Sequence, residues 1–321
     1  MAIEAFEHAT RVDPDFAVAW YALANSYGLV TQVTRVSDAE RQHLNSQASG
    51  AIDQVTRIMP LGVHRYAFEA GSSVDAGEWA NAERQLRKVQ EATGEHSLTR
   101  EQESINPVQA VFLLATDRSQ RAVSVLEKQR AIDPLSNTTS LFLGEAYANS
   151  GNLAAAITEQ DRGMQLENQQ SVTKPSALMT ALATGDRKLI DKRLALTVGD
   201  KSFGIDLNAE LQPFLDRPDE ALRTLRRLAT EKPNPILIGG MALWAAYFGD
   251  TKLSLELLHD PSQVALRSNQ ALTVWRPVMH NVRRDPGFKD LLREMGLVDY
   301  WREFGWGEHC KPVGKDDFEC T

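Results

Sequence analysis

The sequence predicts an all-α protein in which antiparallel helix pairs stack one after another and a helical cap closes the C-terminal end. Two observations lead to this class. A pattern of small and aromatic residues recurs along the 321 residues, and several of its copies are followed by a proline. The apolar fraction of 42% and the charged fraction of 24% are those of a folded globular chain, so neither a disordered nor a fibrous protein is expected.

The clearest copy of the pattern is the segment LGEAYANSGNLAAA, which begins at Leu143. Gly144 lets two helices approach closely, and Gly151 opens the turn between them. Tyr147 fills the space between the helices, and Ala156 is small where the second helix crosses the first. The segment therefore predicts a helix, a tight turn and a second helix.

Further copies place aromatic and small residues at the same relative positions. They are Trp20, Leu23, Ala24 and Tyr27, then Tyr66, Ala70, Trp79 and Ala82, and later the turn at Gly249 and Asp250. Prolines, which cannot continue a helix, follow the amphipathic runs at Pro14, Pro60, Pro134 and Pro233. Copies in phase at about 34 residues indicate a repeat architecture.

In these residues the chain resembles the tetratricopeptide-repeat (TPR) family as far as Asp260. The resemblance implies an α-solenoid, a right-handed superhelix of antiparallel helix pairs, that serves as a non-catalytic binding scaffold. Insertions are expected at 31–38 and 99–106. The resemblance divides the chain into 1–16, the second helix of a truncated repeat; 17–168, well-matched units with insertions; 169–260, degenerate helix pairs; and 261–321, a helical cap with a cysteine-containing tail.

The N-terminal residues match the second helix of a repeat whose first helix is absent. Ala2, Phe6, Ala9 and Pro14 fall at the corresponding positions. Because a lone second helix leaves its apolar face without a partner, the polypeptide is expected to be a fragment of a longer protein. Self-association into a homodimer through this half-repeat is an alternative role.

From Trp275 onward the sequence carries no repeat and has the spacing of short amphipathic helices. Apolar side chains spaced to cover the end of the array are Phe288, Leu291, Leu292 and Met295. The string RRDPGFKDLLREMGLVDYWREFG and its tail resemble the C-terminus of bacterial multidomain signalling proteins. In those proteins a TPR array follows a class III adenylate/guanylate cyclase or a winged-helix DNA-binding domain. This resemblance implies a regulatory module, with any cyclase activity in an upstream domain.

Sequence patterns typical of catalysis are missing. The chain contains no Gly-rich phosphate loop, no Gly-x-Ser-x-Gly elbow and no His-Glu-x-x-His pair. We therefore predict that it is not an enzyme and needs no cofactor.

The tail contains the two cysteines, Cys310 and Cys320, with His309 beside the first. A zinc site is disfavoured because structural sites usually carry a CxxC or HxxxH half-site. A disulfide between Cys310 and Cys320 and two free thiols both remain open. The disulfide would imply an oxidising compartment such as the periplasm, whereas free thiols are compatible with the cytoplasm.

The charge and hydropathy of the chain exclude two classes of partner. A net charge of -8 argues against direct nucleic-acid binding, which needs clustered Lys and Arg. No apolar run approaches the roughly 18 residues that span a bilayer, so this chain is not expected to insert into a membrane. The expected partner is a protein or a peptide.

TPR arrays usually receive a peptide or helix on the concave surface that their first helices line. Transferring these positions onto the chain gives the candidate partner-binding residues Val18, Tyr21, Asn25, His64, Phe68, Phe142, Glu145 and Asn149. A clamp for a C-terminal carboxylate would need Lys or Arg together with Asn, and only Asn25 fits. The expected ligand is therefore apolar or mixed.

A small-molecule sensor or catalytic domain that uses the same groove is an alternative function. It would require carboxylates or histidines with perturbed pKa values that converge in one cavity. The sequence alone does not decide whether such a cavity exists.

Overall fold

The structure is a computed structural model that describes residues 2–33, 36–59, 61–93, 106–166, 173–201, 204–231 and 233–321. α-Helices make up most of these residues, which confirms the predicted all-α class. The two predicted insertions and the start of the degenerate region fall partly outside the described residues. Pro60, one of the predicted helix-ending prolines, lies outside them as well.

The helices follow one another with short connections. In the first half they are α1 (Ala2–Val12), α2 (Ala17–Val33), α3 (Asp38–Ile58), α4 (Val63–Ala76), α5 (Trp79–Thr93), α6 (Asn106–Ala115), α7 (Ser119–Ile132), α8 (Asn137–Asn149) and α9 (Leu153–Leu166). The array continues with α10 (Thr173–Thr184), α11 (Arg187–Leu194), α12 (Leu207–Leu211), a 3-10 turn (Gln212–Phe214), α13 (Pro218–Thr230), α14 (Pro235–Tyr247) and α15 (Thr251–Leu258).

The C-terminal part is built from shorter elements. In order they are a 3-10 helix (Pro261–Leu266), α16 (Arg267–Val274), a 3-10 helix (Pro277–Met279), α17 (His280–Arg283), α18 (Gly287–Glu294), α19 (Leu297–Phe304), and the antiparallel strands β1 (Cys310–Val313) and β2 (Asp317–Cys320).

Consecutive helices pack as pairs: α2 with α3, α4 with α5, α6 with α7, α8 with α9, α10 with α11, and α14 with α15. Polar caps fix where helices begin, because a side-chain oxygen satisfies a free backbone N–H at the first turn. Ser136 accepts from the Thr139 amide at 3.1 Å before α8, and Asp250 accepts from the Leu253 amide at 2.9 Å before α15. Inside the α8–α9 pair, a Cβ at Gly144 would lie 2.8 Å from Gln160 Cγ, so the close approach predicted for Gly144 is confirmed.

The pair α6–α7 was not among the copies that the sequence pattern revealed. In three of the recognised pairs, α4–α5, α8–α9 and α14–α15, the turn contains a glycine with positive φ: Gly77 at 75°, Gly151 at 86° and Gly249 at 85°. In α6–α7 the corresponding residue is Asp117, with a φ of 63°. A non-glycine residue in this conformation is uncommon, although Asp tolerates it better than most. The missing glycine explains why the pair escaped the pattern.

Residues 261–279 run along the inner surface formed by the first helices of the pairs. The 3-10 helix Pro261–Leu266 contacts α2, α4 and α14, while α16 contacts α4, α6 and α14. The next 3-10 helix, Pro277–Met279, contacts α10 and α14. The chain therefore covers much of its own concave face. We call residues 261–279 the inner segment.

The predicted helical cap is present and also reaches early parts of the array. Helix α18 packs against α15, and α19 packs against α5. Buried indole groups hold these contacts: Trp79 Nε1 donates to the Met295 carbonyl at 2.7 Å, and Trp301 Nε1 donates to the Thr116 carbonyl at 3.1 Å. Trp275, at the end of the inner segment's helix α16, donates to the Ala115 carbonyl at 2.8 Å.

After α19 the chain forms a two-stranded hairpin that the sequence pattern did not predict. Cys310 pairs with Cys320 in the register, and a disulfide joins them. Phe318 of β2 is buried against Trp306, with ring centroids 5.4 Å apart. The hairpin thus follows His309 directly and is covalently closed. In the part of the chain that the structure describes, no helix is both long and apolar enough to cross a membrane.

Candidate functional site

The candidate residues on α2 and α4, apart from Phe68, keep exposed side chains although the inner segment contacts both helices. Val18 is 62% exposed and Tyr21 is 38% exposed, and Asn25 and His64 are exposed as well. Phe68 is buried, and its ring lies edge-on to that of Tyr21 at a centroid distance of 5.0 Å. These five residues form what we call the α2–α4 surface.

The candidate residues on α8 are in a different situation. Glu145 is buried, and its Oε1 receives a hydrogen bond from Arg276 Nη2 at 2.6 Å. Phe142 is half-buried and lines a small cavity of about 130 Å³ together with Leu126. Asn149 is buried at the end of the helix. The inner segment thus occupies one position on α8, that of Glu145, which was expected to face a peptide.

Asn149 lines a larger cavity of about 500 Å³, which we call the polar cavity. Its wall combines the α8–α9 turn with the inner segment, α17 and the residues just before β1. The polar side chains that line it are Gln120, Asn149, Ser150, His280, Arg283, Glu308 and His309.

Asp117 anchors one wall of the polar cavity, although its side chain is completely buried beneath it. Its carboxylate accepts hydrogen bonds from the His309 backbone N–H at 2.7 Å and from His309 Nδ1 at 2.6 Å. The Asp117 carbonyl accepts from the Glu308 N–H at 2.9 Å. A Cβ at Gly307 would overlap with the Asp117 carboxylate, so this residue must be glycine. Asp117 thereby fixes residues 307–309 against the α6–α7 turn.

The imidazole of His309 is held on two sides. Its ring stacks on that of Trp275 at a centroid distance of 6.0 Å and an interplanar angle of 16°. Because Nδ1 is engaged by Asp117, Nε2 is the ring nitrogen left for a ligand. This Asp–His arrangement orients an imidazole without supplying a nucleophile, so it does not by itself indicate catalysis.

Several groups around the polar cavity have shifted pKa values. Burial lowers the pKa of Arg283 to about 10, an effect that the carboxylate of Asp117 partly opposes. Partial desolvation lowers the pKa of His280, and the nearby charges of Arg284, Arg283 and His309 lower it further. At neutral pH Arg283 is therefore a cation and His280 is uncharged.

Glu308 supplies a carboxylate to the same wall. Burial raises its pKa, against the effect of hydrogen bonds from the Gln120 and Ser119 backbones. The Gln120 N–H donates to Glu308 Oε1 at 2.8 Å. The polar cavity thus presents both a guanidinium and a carboxylate.

The sequence had singled out only Asn149 and His309 among these residues, and each for another role. Asp117, His280, Arg283 and Glu308 are far apart in the chain and belong to no recognisable motif. The signal that could have pointed to Asp117 is an aspartate at the turn position where other pairs have glycine.

The tail does not form a metal site. His309 is bonded to Asp117, and both cysteines are committed to the disulfide. Within the described ranges, no three His, Cys, Asp or Glu residues are grouped so that they could hold a metal ion.

Comparisons with known proteins add little to this picture. No protein-family model matches the chain, and no curated protein matches its sequence. Among solved structures, the chain is similar to the TPR domain of P58(IPK), with 11% identity over 94% of each chain and a TM-score of 0.26. An overlap at this TM-score supports no conclusion about function, and the fold assignment depends on the helix pairs described above.

Proposed function

We propose that this chain is a non-catalytic protein-interaction scaffold that binds a peptide or helix on its α2–α4 surface. The observation that carries this proposal is the exposure of Val18 and Tyr21 on a first helix, next to the buried ring of Phe68. Exposed apolar side chains grouped on a surface favour partner binding, whereas single scattered ones are ordinary.

The chemistry of the α2–α4 surface suggests the character of its ligand. Tyr21 offers an aromatic ring, which is a common anchor in protein interfaces. Asn25 and His64 can exchange hydrogen bonds with a peptide backbone or with polar side chains. The exposed side chain of Val264, in the inner segment next to α2 and α4, extends the apolar area. A short amphipathic helix or peptide with apolar anchors suits this combination.

The parent protein is a further part of the proposal. The resemblance of residues 283–305 to the ends of bacterial signalling proteins supports a regulatory module attached to a cyclase or a transcriptional regulator. In that setting the upstream domain would carry the cyclase or DNA-binding activity. This chain would bind the partner that regulates it.

Self-association is a second candidate role, supported by Val12 and Phe16. Both side chains are exposed, at the end of α1 and just before α2. A second copy that covered them would form a symmetric dimer. Light scattering would then give a dimer mass that Phe16→Ser reduces to the monomer mass. A monomer before any substitution would contradict this role.

The scaffold proposal can be tested with a displayed library of random peptides selected on the intact chain. Peptides that bind should lose affinity by about tenfold or more when Tyr21 is changed to Ala or Val18 to Asp, because hot-spot truncations cost at least 1.4 kcal/mol of binding free energy. Leu135→Asp is the matched control, since Leu135 is 75% exposed and lies outside the α2–α4 surface. Selected peptides whose affinity is insensitive to Tyr21→Ala and Val18→Asp would contradict the proposal.

A further inference from the structure

We propose that the polar cavity binds a small zwitterion, a molecule of the size of a free amino acid or dipeptide that carries both a carboxylate and an ammonium group. This site is separate from the α2–α4 surface and does not depend on the scaffold proposal. Its volume of about 500 Å³ falls in the range of pockets that hold small molecules.

Asn149 is the first reason to expect a ligand. Its side chain is only 5% exposed, and its Oδ1 has no hydrogen-bond partner in the described parts of the chain. A buried carbonyl oxygen without a partner destabilises the folded state, and such groups are rare in native proteins. Asn149 lines the polar cavity, but its Oδ1 is shielded from solvent in this side-chain orientation. A turn of the amide about the Cβ–Cγ bond would bring this oxygen to an N–H donor on a bound molecule.

Arg283 supplies the complementary group for an anion. Its Nε donates to the Thr321 carbonyl at 2.8 Å, and its Nη1 donates to the Val274 and Arg276 carbonyls. Its Nη2 has no hydrogen-bond partner among the described residues. A guanidinium nitrogen that faces a cavity forms charge-assisted hydrogen bonds with a carboxylate.

The balance of charge explains why a zwitterion fits better than a simple anion. Glu308 lines the same cavity and repels anions, whereas its carboxylate attracts an ammonium group. The imidazole of His280 and Nε2 of His309 add further hydrogen-bonding groups to the wall. A ligand that carries both charges can meet Arg283 and Glu308 at once, so it replaces the solvation that each group loses by burial.

The wall of the polar cavity is held in place before any ligand arrives. Asp117 fixes His309 and Glu308, Trp275 supports the ring of His309, and the disulfide closes the hairpin that follows. A site assembled in this way loses little conformational entropy when it binds.

The test uses isothermal titration calorimetry on the intact chain, with the twenty common amino acids and a set of glycine-containing dipeptides as probes. At least one probe is expected to bind in the micromolar to low-millimolar range and to raise the melting temperature. Acetate and methylammonium, each of which carries only one of the two charges, should bind at least about tenfold more weakly. If no probe binds below about 10 mM, or if acetate alone binds as well as the best probe, the proposal is wrong.

Asn149→Leu tests the role of the unpaired oxygen, because leucine has nearly the same shape and no polar atoms. It should weaken binding of the best probe by about tenfold or more while the unliganded protein keeps or raises its melting temperature. Asn45→Leu, on the exposed surface of α3, is the control and should leave binding unchanged. Unchanged binding in Asn149→Leu would overturn the assignment.

His280→Ala keeps the proposal testable if Asn149→Leu fails to fold, since His280 is exposed at the rim of the polar cavity. It should weaken zwitterion binding without a change in the far-ultraviolet circular dichroism spectrum. Tyr21→Ala, in contrast, should leave zwitterion binding intact, so failure of one proposal can be told apart from failure of the other. Full zwitterion affinity in His280→Ala would count against the site.

Discussion

Asp117 is the residue on which the arrangement around the polar cavity depends. It occupies a turn position where glycine is favoured, and it uses its side chain to hold a segment almost two hundred residues away. A glycine at this position would remove the backbone strain at positive φ and so stabilise the fold by about 1 kcal/mol. It would also remove the two hydrogen bonds that the carboxylate accepts. The balance favours aspartate because hydrogen bonds to charged groups contribute more than this strain costs.

We predict that Asp117→Asn lowers the free energy of unfolding by about 2 kcal/mol, because an amide oxygen is a weaker acceptor than a carboxylate. Asparagine keeps the size of the side chain and tolerates positive φ, so the effect would reflect the lost charge. Urea denaturation measures it. The control is Asp186→Asn at the exposed start of α11, where we expect less than about 1 kcal/mol. Equal effects at the two sites would contradict the special role of Asp117.

A second prediction concerns His280, whose pKa is lowered by partial desolvation and by Arg284, Arg283 and His309. Below the usual pKa of histidine, the unfolded chain binds a proton that the folded chain resists. His280 therefore reduces stability as the pH falls from 7 toward 5. The variant His280→Gln should lose less stability than the unmodified protein over this range. Melting temperatures measured at a series of pH values test this prediction. If the melting temperatures of the two proteins fall in parallel from pH 7 to pH 5, His280 does not contribute to the loss of stability.

Among the elements, the β-hairpin 310–320 is small, but it connects the C-terminal tail to α18. It follows directly on His309, and its Phe318 side chain lies beneath Trp306. Lys289 Nζ on α18 also bonds Asp317 of β2 at 2.9 Å. The hairpin therefore ties the tail to α18 and helps to keep His309 in contact with Asp117.

Replacing both cysteines of the hairpin by serine should lower the free energy of unfolding by about 3 kcal/mol. This magnitude follows from the entropy of closing a loop of this length in the unfolded chain. Chemical denaturation of the double variant and of the oxidised protein measures the difference. The reduced unmodified protein should behave like the double variant, and no difference between oxidised and double-variant proteins would contradict the proposed role of the hairpin.

At the scale of the whole molecule, the central feature is that the array covers its own inner face. The inner segment contacts the first helices α2, α4, α6, α10 and α14, and its Arg276 reaches Glu145 on α8. Only the α2–α4 surface keeps exposed apolar side chains at the predicted positions. A scaffold of this form would bind a partner at one end and hold its C-terminal helices as part of its core.

Part of this architecture could be predicted from the sequence because it is local. Gly144 and the turn glycines impose close approach and positive φ within a few residues, and these constraints are visible as a recurring pattern. The pair α6–α7 was hidden because Asp117 replaces the glycine. The hairpin was missed as well, although a glycine at position 314, which adopts a φ of 66° in the turn, is a residue type that favours tight turns.

The rest was beyond sequence reasoning because it depends on contacts between distant parts of the chain. Glu145 was correctly placed on a first helix, but its partner Arg276 is 131 residues away and lies in a segment without a repeat. The polar cavity likewise combines residues from several such segments. Periodicity identifies which face of a helix is buried, and it does not identify what buries it.

The ion pair between Glu145 and Arg276 tests the covered inner face most directly, because the two residues meet only if the inner segment lies on α8. A double-mutant cycle with Glu145→Gln and Arg276→Met should give a coupling energy of about 1–3 kcal/mol in the free energy of unfolding. The exposed pair of Arg293 and Asp290 within α18 is the control, and its coupling should stay near 0.3–0.5 kcal/mol, roughly the value for surface helix pairs. A coupling between Glu145 and Arg276 no larger than that of the control would contradict the covered inner face.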